Sequence, residues 1–283
     1  MSTNLPRAYI FGSGSSAKEL LSIVQEEYQI IAFLDNNEDR WGKTLEGFII
    51  CDPKSIIDTD YDMVIVASFP GLDPITQQLL NMGVKRGSIN TDYVSTSVKS
   101  RILFLERIGE LFADVNIHGC VAEGGVLQGE FAKEINRVFP TSKFYLFDTF
   151  SGFDERDVSI EQERQYSEFG AGHLNITSEN LVLSKLPNPN MCMFRKGYFP
   201  ETTLDIAEEF CFVNLDFDLY QPTLAGLKFF FPRMVKGGVI LIHDYFSKHY
   251  KGIKEAVREF EIMSGELNLF PVGDGLSLGI LCR

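Results

Sequence analysis

The 283-residue chain carries 26 Lys and Arg against 39 Asp and Glu, a net charge of −13, and 45% of it is hydrophobic. That balance supplies ample core for two domains or one large one. It argues against nucleic acid and anionic membranes as partners, because both reward a basic surface.

The start, MSTNLPRAYIFGSGSS, lacks the basic opening and long apolar core of a secretory leader. No apolar run approaches the roughly 20 residues that span a bilayer. The five cysteines, Cys51, Cys120, Cys192, Cys211 and Cys282, form no C-x-x-C pair. They read as reduced, buried thiols of a cytoplasmic protein rather than as zinc ligands.

In chain order, RAYIFGSGSSAKELLSIVQ reads as strand, glycine turn and helix. YQIIAFLDNN is a second strand, YDMVIVASF a third, and DPITQQLLNMGV a helix after it. Apolar runs alternating with amphipathic helices predict a parallel sheet, here a Rossmann-like unit over residues 1–95. Gly12, Gly14 and Ala17 stand in G-x-G-x-x-A spacing, with Asp35 at the end of the next strand. This pattern matches a dinucleotide fingerprint, in which glycine admits a pyrophosphate and the acid takes a ribose hydroxyl. A tight strand-to-helix turn needs glycine with or without a ligand. The unit also resembles the short Rossmann-like N-terminal domains of some sugar-modifying and polysaccharide-biosynthesis proteins. That resemblance supports a second functional reading, a non-catalytic nucleotide or nucleotide-sugar binding scaffold.

DYVSTSVKSR, polar and rich in Ser and Thr, marks the boundary. ILFLERIGELF follows as an amphipathic helix with Leu103, Ile108 and Leu111 near helical spacing. A second α/β unit, 96–283, opens with strand HGCVAEGG, helix GEFAKEINRVF and strand KFYLFDTF, which ends in Asp148. Residues 151–190 break the rhythm with helix-like pieces around QERQYSEF and SENLVLSKL. An insertion of that length predicts a lid or binding segment. Strands MCMFRKG, CFVNLDFD and GGVILIHDY resume the alternation, and apolar runs around GDG predict a C-terminal hairpin. In enzymes that use S-adenosylmethionine (SAM), a turn like Glu123, Gly124, Gly125 and Gly129 wraps the methionine part of the cofactor. The acid at the next strand end, here Asp148, takes the ribose diol.

The ordered stretches VAEGGVLQGEFAKEI, YLFDTFSGFDE, RKGYFPETT, LDFDLYQPTLAGLKFFFPRMVKGGVILIHDY and GIKEAVREF resemble the macrocin O-methyltransferase (TylF-type) family over residues 105–283. The resemblance implies a class I SAM-methyltransferase sheet and methyl transfer to a sugar hydroxyl of a glycosylated metabolite or polysaccharide precursor. It also implies a divalent cation, normally Mg2+. Glu123, Gly125, Gly129 and Asp148 map to the cofactor turn, and Asp216 to a metal ligand that also serves as base. The family's second acid pair maps to His243 and Asp244, so His243 departs from the expected Asp. That side chain can ligate the metal, act as general base or pack in the core. Strand alternation aims His243 and Asp244 to opposite faces unless the chain turns there. Asp218, one pleat beyond Asp216, suits either the metal site or the cap of a helix near Pro222. His173 in the insertion is a second candidate base. Tyr198 and Tyr220 are candidate contacts to cofactor or sugar, or core aromatics, while His118 and His249 have no motif support. The partner expected is a small-molecule or glycan acceptor, and a homo-oligomer stays open. An NAD-dependent oxidoreductase ranks last, because the strand-end acids of the second unit suit a cation better than hydride transfer.

Overall fold

The computed structural model describes residues 5–57, 59–68 and 71–283. Residues 1–4 of the expected leaderless start, and Phe69 at the end of the expected third strand, lie outside them. The chain divides into two compact units between Lys99 and Ser100.

In the first unit, β1 (Arg7–Phe11), α1 (Ser15–Val24) and β2 (Gln29–Leu34) form the expected strand–turn–helix–strand. Then come β3 (Thr44–Leu45), β4 (Phe48–Cys51), β5 (Met63–Val66), α2 (Leu72–Asn81) and β6 (Ile89–Asn90). The sheet order is β3-β4-β2-β1-β5-β6. All pairs are parallel except β3 with β4. The strands β3, β4 and β6, two to four residues long, carry too little periodicity to be seen in the sequence.

The polar stretch expected as a boundary is helical. It forms the first turns of α3 (Asp92–Asp114). Within α3 the seam facing the core is Arg101, Leu105, Ile108 and Phe112, spaced four, three and four residues apart as one helix face requires. Leu103 and Leu111, expected on that face, are about half exposed. They fall on the other side of the 3.6-residue turn.

The second unit continues with β7 (Cys120–Gly124), α4 (Glu130–Val138), β8 (Phe144–Asp148), α5 (Glu155–Arg164) and α6 (Glu179–Leu183). It closes with β9 (Cys192–Lys196), β10 (Phe210–Leu215), α7 (Tyr220–Phe230), β11 (Met234–Ile242), α8 (Lys251–Ser264), β12 (Leu269–Pro271) and β13 (Leu278–Leu281). The sheet order is β12-β13-β11-β10-β7-β8-β9. The expected hairpin β12–β13 joins antiparallel to β11, and the other five strands are parallel. Every residue of β10 (FCFVNL) is buried, as befits a central parallel strand covered on both faces. Burying a phenylalanine such as Phe212 stabilises the fold by about 1.5–3 kcal/mol. The polar exception in that strand is Asn214, fully buried.

Strand order reverses at β7, which has β8 on one side and β10 on the other. At such a reversal the loops leaving the two neighbouring strands part, and a crevice opens beyond their C-terminal ends.

Candidate active site

The loop after β7 and the end of β10 meet at backbone distance. Gly125 has φ +81° and carries its N–H to the Phe147 carbonyl at 2.9 Å. A Cβ built on it would lie 1.9 Å from the Asp216 carbonyl oxygen. Glycine is required here for close approach of protein to protein. Gly129, at φ +80°, starts α4, and Val182 of the insertion packs against it.

Asp148 ends β8 and turns back onto this loop. Its Oδ2 accepts from the N–H groups of Val126 (2.8 Å) and Leu127 (3.0 Å), and its Oδ1 from Phe150 N–H (2.7 Å). The acid expected on a ribose therefore first ties the loop to the sheet. By the usual two lone pairs per oxygen, only Oδ1 keeps acceptor capacity.

Glu123 lies below the cleft surface, 1% exposed. Its Oε1 accepts from Asn214 Nδ2 at 2.9 Å, while Glu123 Oε2 and Asn214 Oδ1 are buried without a hydrogen-bond partner. Burial, with Asp216 nearby, holds its carboxyl well above the usual carboxylate range. A protonated Oε2 is a donor and Asn214 Oδ1 an acceptor, so a neutral acid facing the amide accounts for both orphan atoms.

The strand-end acids do converge. Asp216, His243 and Asp244 each offer a ligand atom, all within 4.8 Å of one another. The chain turns where the alternation rule demanded it: β11 ends at Ile242 and Asp244 adopts φ +55°. His243 Nδ1 lies 3.9 Å from Asp244 Oδ1 and 3.3 Å from the Ser277 hydroxyl, which donates to Asp274 Oδ2 at 2.5 Å. Burial, reinforced by Arg101, pushes the His243 imidazole well below its ordinary value, so it is neutral at pH 7. Burial raises Asp216 to about 6 against the opposing pull of Arg101. Asp218, at φ +64°, is raised well above the usual range by burial, by the charges of Asp244 and Asp216, and by a hydrogen bond with Asp244. Two carboxyl groups in that contact share a proton.

Asp218 does not cap α7. That helix starts at Tyr220, and Glu161 of the insertion accepts the Tyr220 N–H at 2.7 Å. The insertion is fastened on its other side too. Thr177 Oγ1 donates to the Leu127 carbonyl, Gln128 Nε2 to Ile176 O (3.0 Å), and Lys185 Nζ to Gln128 O (2.7 Å). His173, the second candidate base, is stacked on Phe169 (4.3 Å between centroids) and tilted against Phe153. Tyr198 donates to Asp157 at 2.8 Å, and Tyr220 to Glu259. Both tyrosines serve packing around α5 and α8.

Glu161 offers a pH test of this docking. Burial raises its carboxyl from 4.5 to about 7, opposed by the Tyr220 N–H. The folded chain then holds the proton more tightly than the unfolded one. The associated stability is full below 4.5 and is lost as pH rises through about 7. Glu161→Gln keeps the acceptor for Tyr220 and removes the titration. Relative to the wild type, its thermal midpoint should rise by several degrees between pH 5 and pH 8. Parallel curves for the two proteins would refute the assignment.

Sequence reasoning missed Arg101 because it closes a polar stretch taken as a boundary. It is 9% exposed. Its Nη1 meets Asp216 Oδ2 at 3.3 Å, and its guanidinium carbon lies 4.4 Å from the Phe131 ring centroid. A lone basic residue on the apolar seam of α3 was the available signal.

In the first unit, Gly12 has φ +110° and Gly14 precedes α1 with no heavy atom within 4 Å of a built Cβ. Asp35 is already engaged by the Ser13 hydroxyl, by Asn37 N–H (2.9 Å) and by Arg40 (3.6 Å). Arg40 also donates to Ser13 O at 2.9 Å. A cleft of about 640 Å³ in this unit is lined by Asn36, Trp41, Pro53, Gln78 and Met82 among others, and not by Gly12, Gly14 or Asp35.

The seven-stranded order, with its antiparallel β13, is that of the class I methyltransferase fold. The family model of the macrocin-O-methyltransferases (TylF) matches residues 95–266, more than half of the chain, and the chain belongs to that family. It is thus a SAM-dependent O-methyltransferase. A second family model, C2185-like N-terminal, matches residues 4–90. Among solved structures, the O-methyltransferase NovP is similar at 20% identity and a TM-score of 0.54, over 65% of this chain and 80% of its own. CalS11, a calicheamicin methyltransferase, is similar at 16% identity and a TM-score of 0.48, over 85% of this chain and 97% of its own. No curated protein matches the sequence significantly. Among the described residues no helix is long and apolar enough to cross a membrane.

Proposed function

We propose that the protein transfers methyl from SAM to a sugar hydroxyl of a glycosylated small molecule or glycan precursor, assisted by a divalent cation. The observation that carries this reading is the convergence of Asp216, His243 and Asp244 within 4.8 Å. Two carboxylates and a neutral imidazole fit a divalent ion, and burial, with neighbouring acid charges, raises Asp216 and Asp218. A bound cation supplies the charge that lowers the pKa of a coordinated hydroxyl, and SAM supplies an electrophilic methyl. The protein's part is orientation and proton removal. Asp216, Asp244 and His243 would hold the ion, and Asp216 would also receive the hydroxyl proton. Gly125 and Asp148 shape the loop that carries the cofactor, and the insertion clasps that loop through Thr177, Gln128 and Lys185. A sugar acceptor agrees with the family and with the anionic chain, which favours neutral or cationic groups over phosphates.

Imidazole is a softer ligand than carboxylate, and Mg2+ prefers oxygen. His243 should therefore tilt the site from Mg2+ toward Mn2+. Calorimetry is expected to show S-adenosylhomocysteine binding, and Mn2+ binding that weakens as pH falls through about 6, where Asp216 takes a proton. His243→Asp should narrow the Mn2+ over Mg2+ preference by about tenfold. Absence of any divalent-ion binding would sink the metal-assisted reading.

A further inference from the structure

We infer that Arg101 is the recognition residue for the carboxylate at the amino-acid end of SAM, and that it joins the cofactor to the metal ligand Asp216. This rests on the cofactor reading above. Arg101 projects from α3 at the reversal point of the sheet, reaching Asp216 at the end of β10 while lying over Phe131 in the first turn of α4. The Asp216 N–H donates to the Gly124 carbonyl at 2.7 Å, which sets this pair beside the Gly124–Gly125 turn. None of the Arg101 guanidinium nitrogens is fully buried without a partner, so the donors left unused by Asp216 remain open to a ligand. Arg101 is 9% exposed, yet its one hydrogen bond among the described residues is the single 3.3 Å contact to Asp216. That contact is longer than a good charge-assisted bond and uses one of five donors. A planar guanidinium with unspent donors, stacked on an aromatic ring, suits bidentate capture of a carboxylate. The amino-acid end of SAM is the one carboxylate that the reaction brings to this loop. Asn214 donates to Glu123 beneath the turn, and among the described residues the ion pair of Asp216 is with Arg101.

The ligand pair S-adenosylhomocysteine and 5′-methylthioadenosine tests this, since the second lacks the amino-acid end. Affinities are measured by calorimetry on the full chain with EDTA present. Wild type is expected to bind S-adenosylhomocysteine at least about tenfold more tightly, Arg101→Met to lose most of that gap, and methylthioadenosine affinity to stay within about twofold. Arg101→Lys, which keeps charge without the fork, should fall between and covers the case in which the Met variant does not fold. An undiminished gap in the variants overturns the role of Arg101 alone. Equal loss for both ligands also overturns it, because the residue then acts only through the fold. Failure of wild type to bind either ligand overturns the cofactor reading itself.

Discussion

Asp216→Asn is expected to abolish stoichiometric Mn2+ binding and to slow methyl transfer on the order of 10³-fold, with the fold intact. Asp216 is the residue in which three requirements meet. It follows the last residue of a fully buried strand, its backbone N–H is spent on the Gly124 carbonyl at 2.7 Å, and its side chain faces His243 and Asp244. The main chain therefore cannot swing to let another group replace the lost oxygen. Asparagine keeps the shape and can still accept a hydrogen bond from Arg101, but it removes the anionic ligand. Stabilisation of developing charge by a bound ion amounts to several kcal/mol, and each 1.36 kcal/mol is tenfold in rate. Manganese electron paramagnetic resonance reads the binding, and SAM consumption with a turned-over acceptor reads the rate. Asp35→Asn, in the other unit, is the matched control and should leave both unchanged. Wild-type ion binding in Asp216→Asn would remove the residue from the site.

Gly125→Ala should be the most destabilising single substitution in the loop, at about 3 kcal/mol or more. Two costs add. An alanine at φ +81° costs about 1–2 kcal/mol, and forcing a methyl where the Asp216 carbonyl oxygen lies 1.9 Å away costs about 1–3 more. The second cost cannot be relieved by a rotamer, since the obstructing atom is backbone. The strand β10 must shift, or the turn must open, and either displaces Asp216 from His243 and Asp244. Urea unfolding should show the lower midpoint, and ion binding should weaken in the protein that remains folded. A variant as stable as wild type would mean that the turn and β10 are not in contact at that distance.

The amino-acid sequence by itself determined the alternation of buried strands and amphipathic helices, the turn glycines and the strand-end acids. These are local signals: periodicity follows from the backbone repeat, and glycine and acids at strand termini announce a turn and a crevice. Tertiary structure alone decided which acids act together. Asp148 proved to be held by Val126, Leu127 and Phe150, Glu123 to be paired beneath the surface with Asn214, and His243 to face the same space as Asp244 because one residue takes a left-handed conformation. Glu161, from 59 residues away in the chain, accepts the Tyr220 N–H, the cap that was one of two roles open to Asp218. Arg101 was hidden for the same reason. Its partner Asp216 lies 115 residues on, and desolvation and charge pairing depend on distance in space, which no spacing along the chain records.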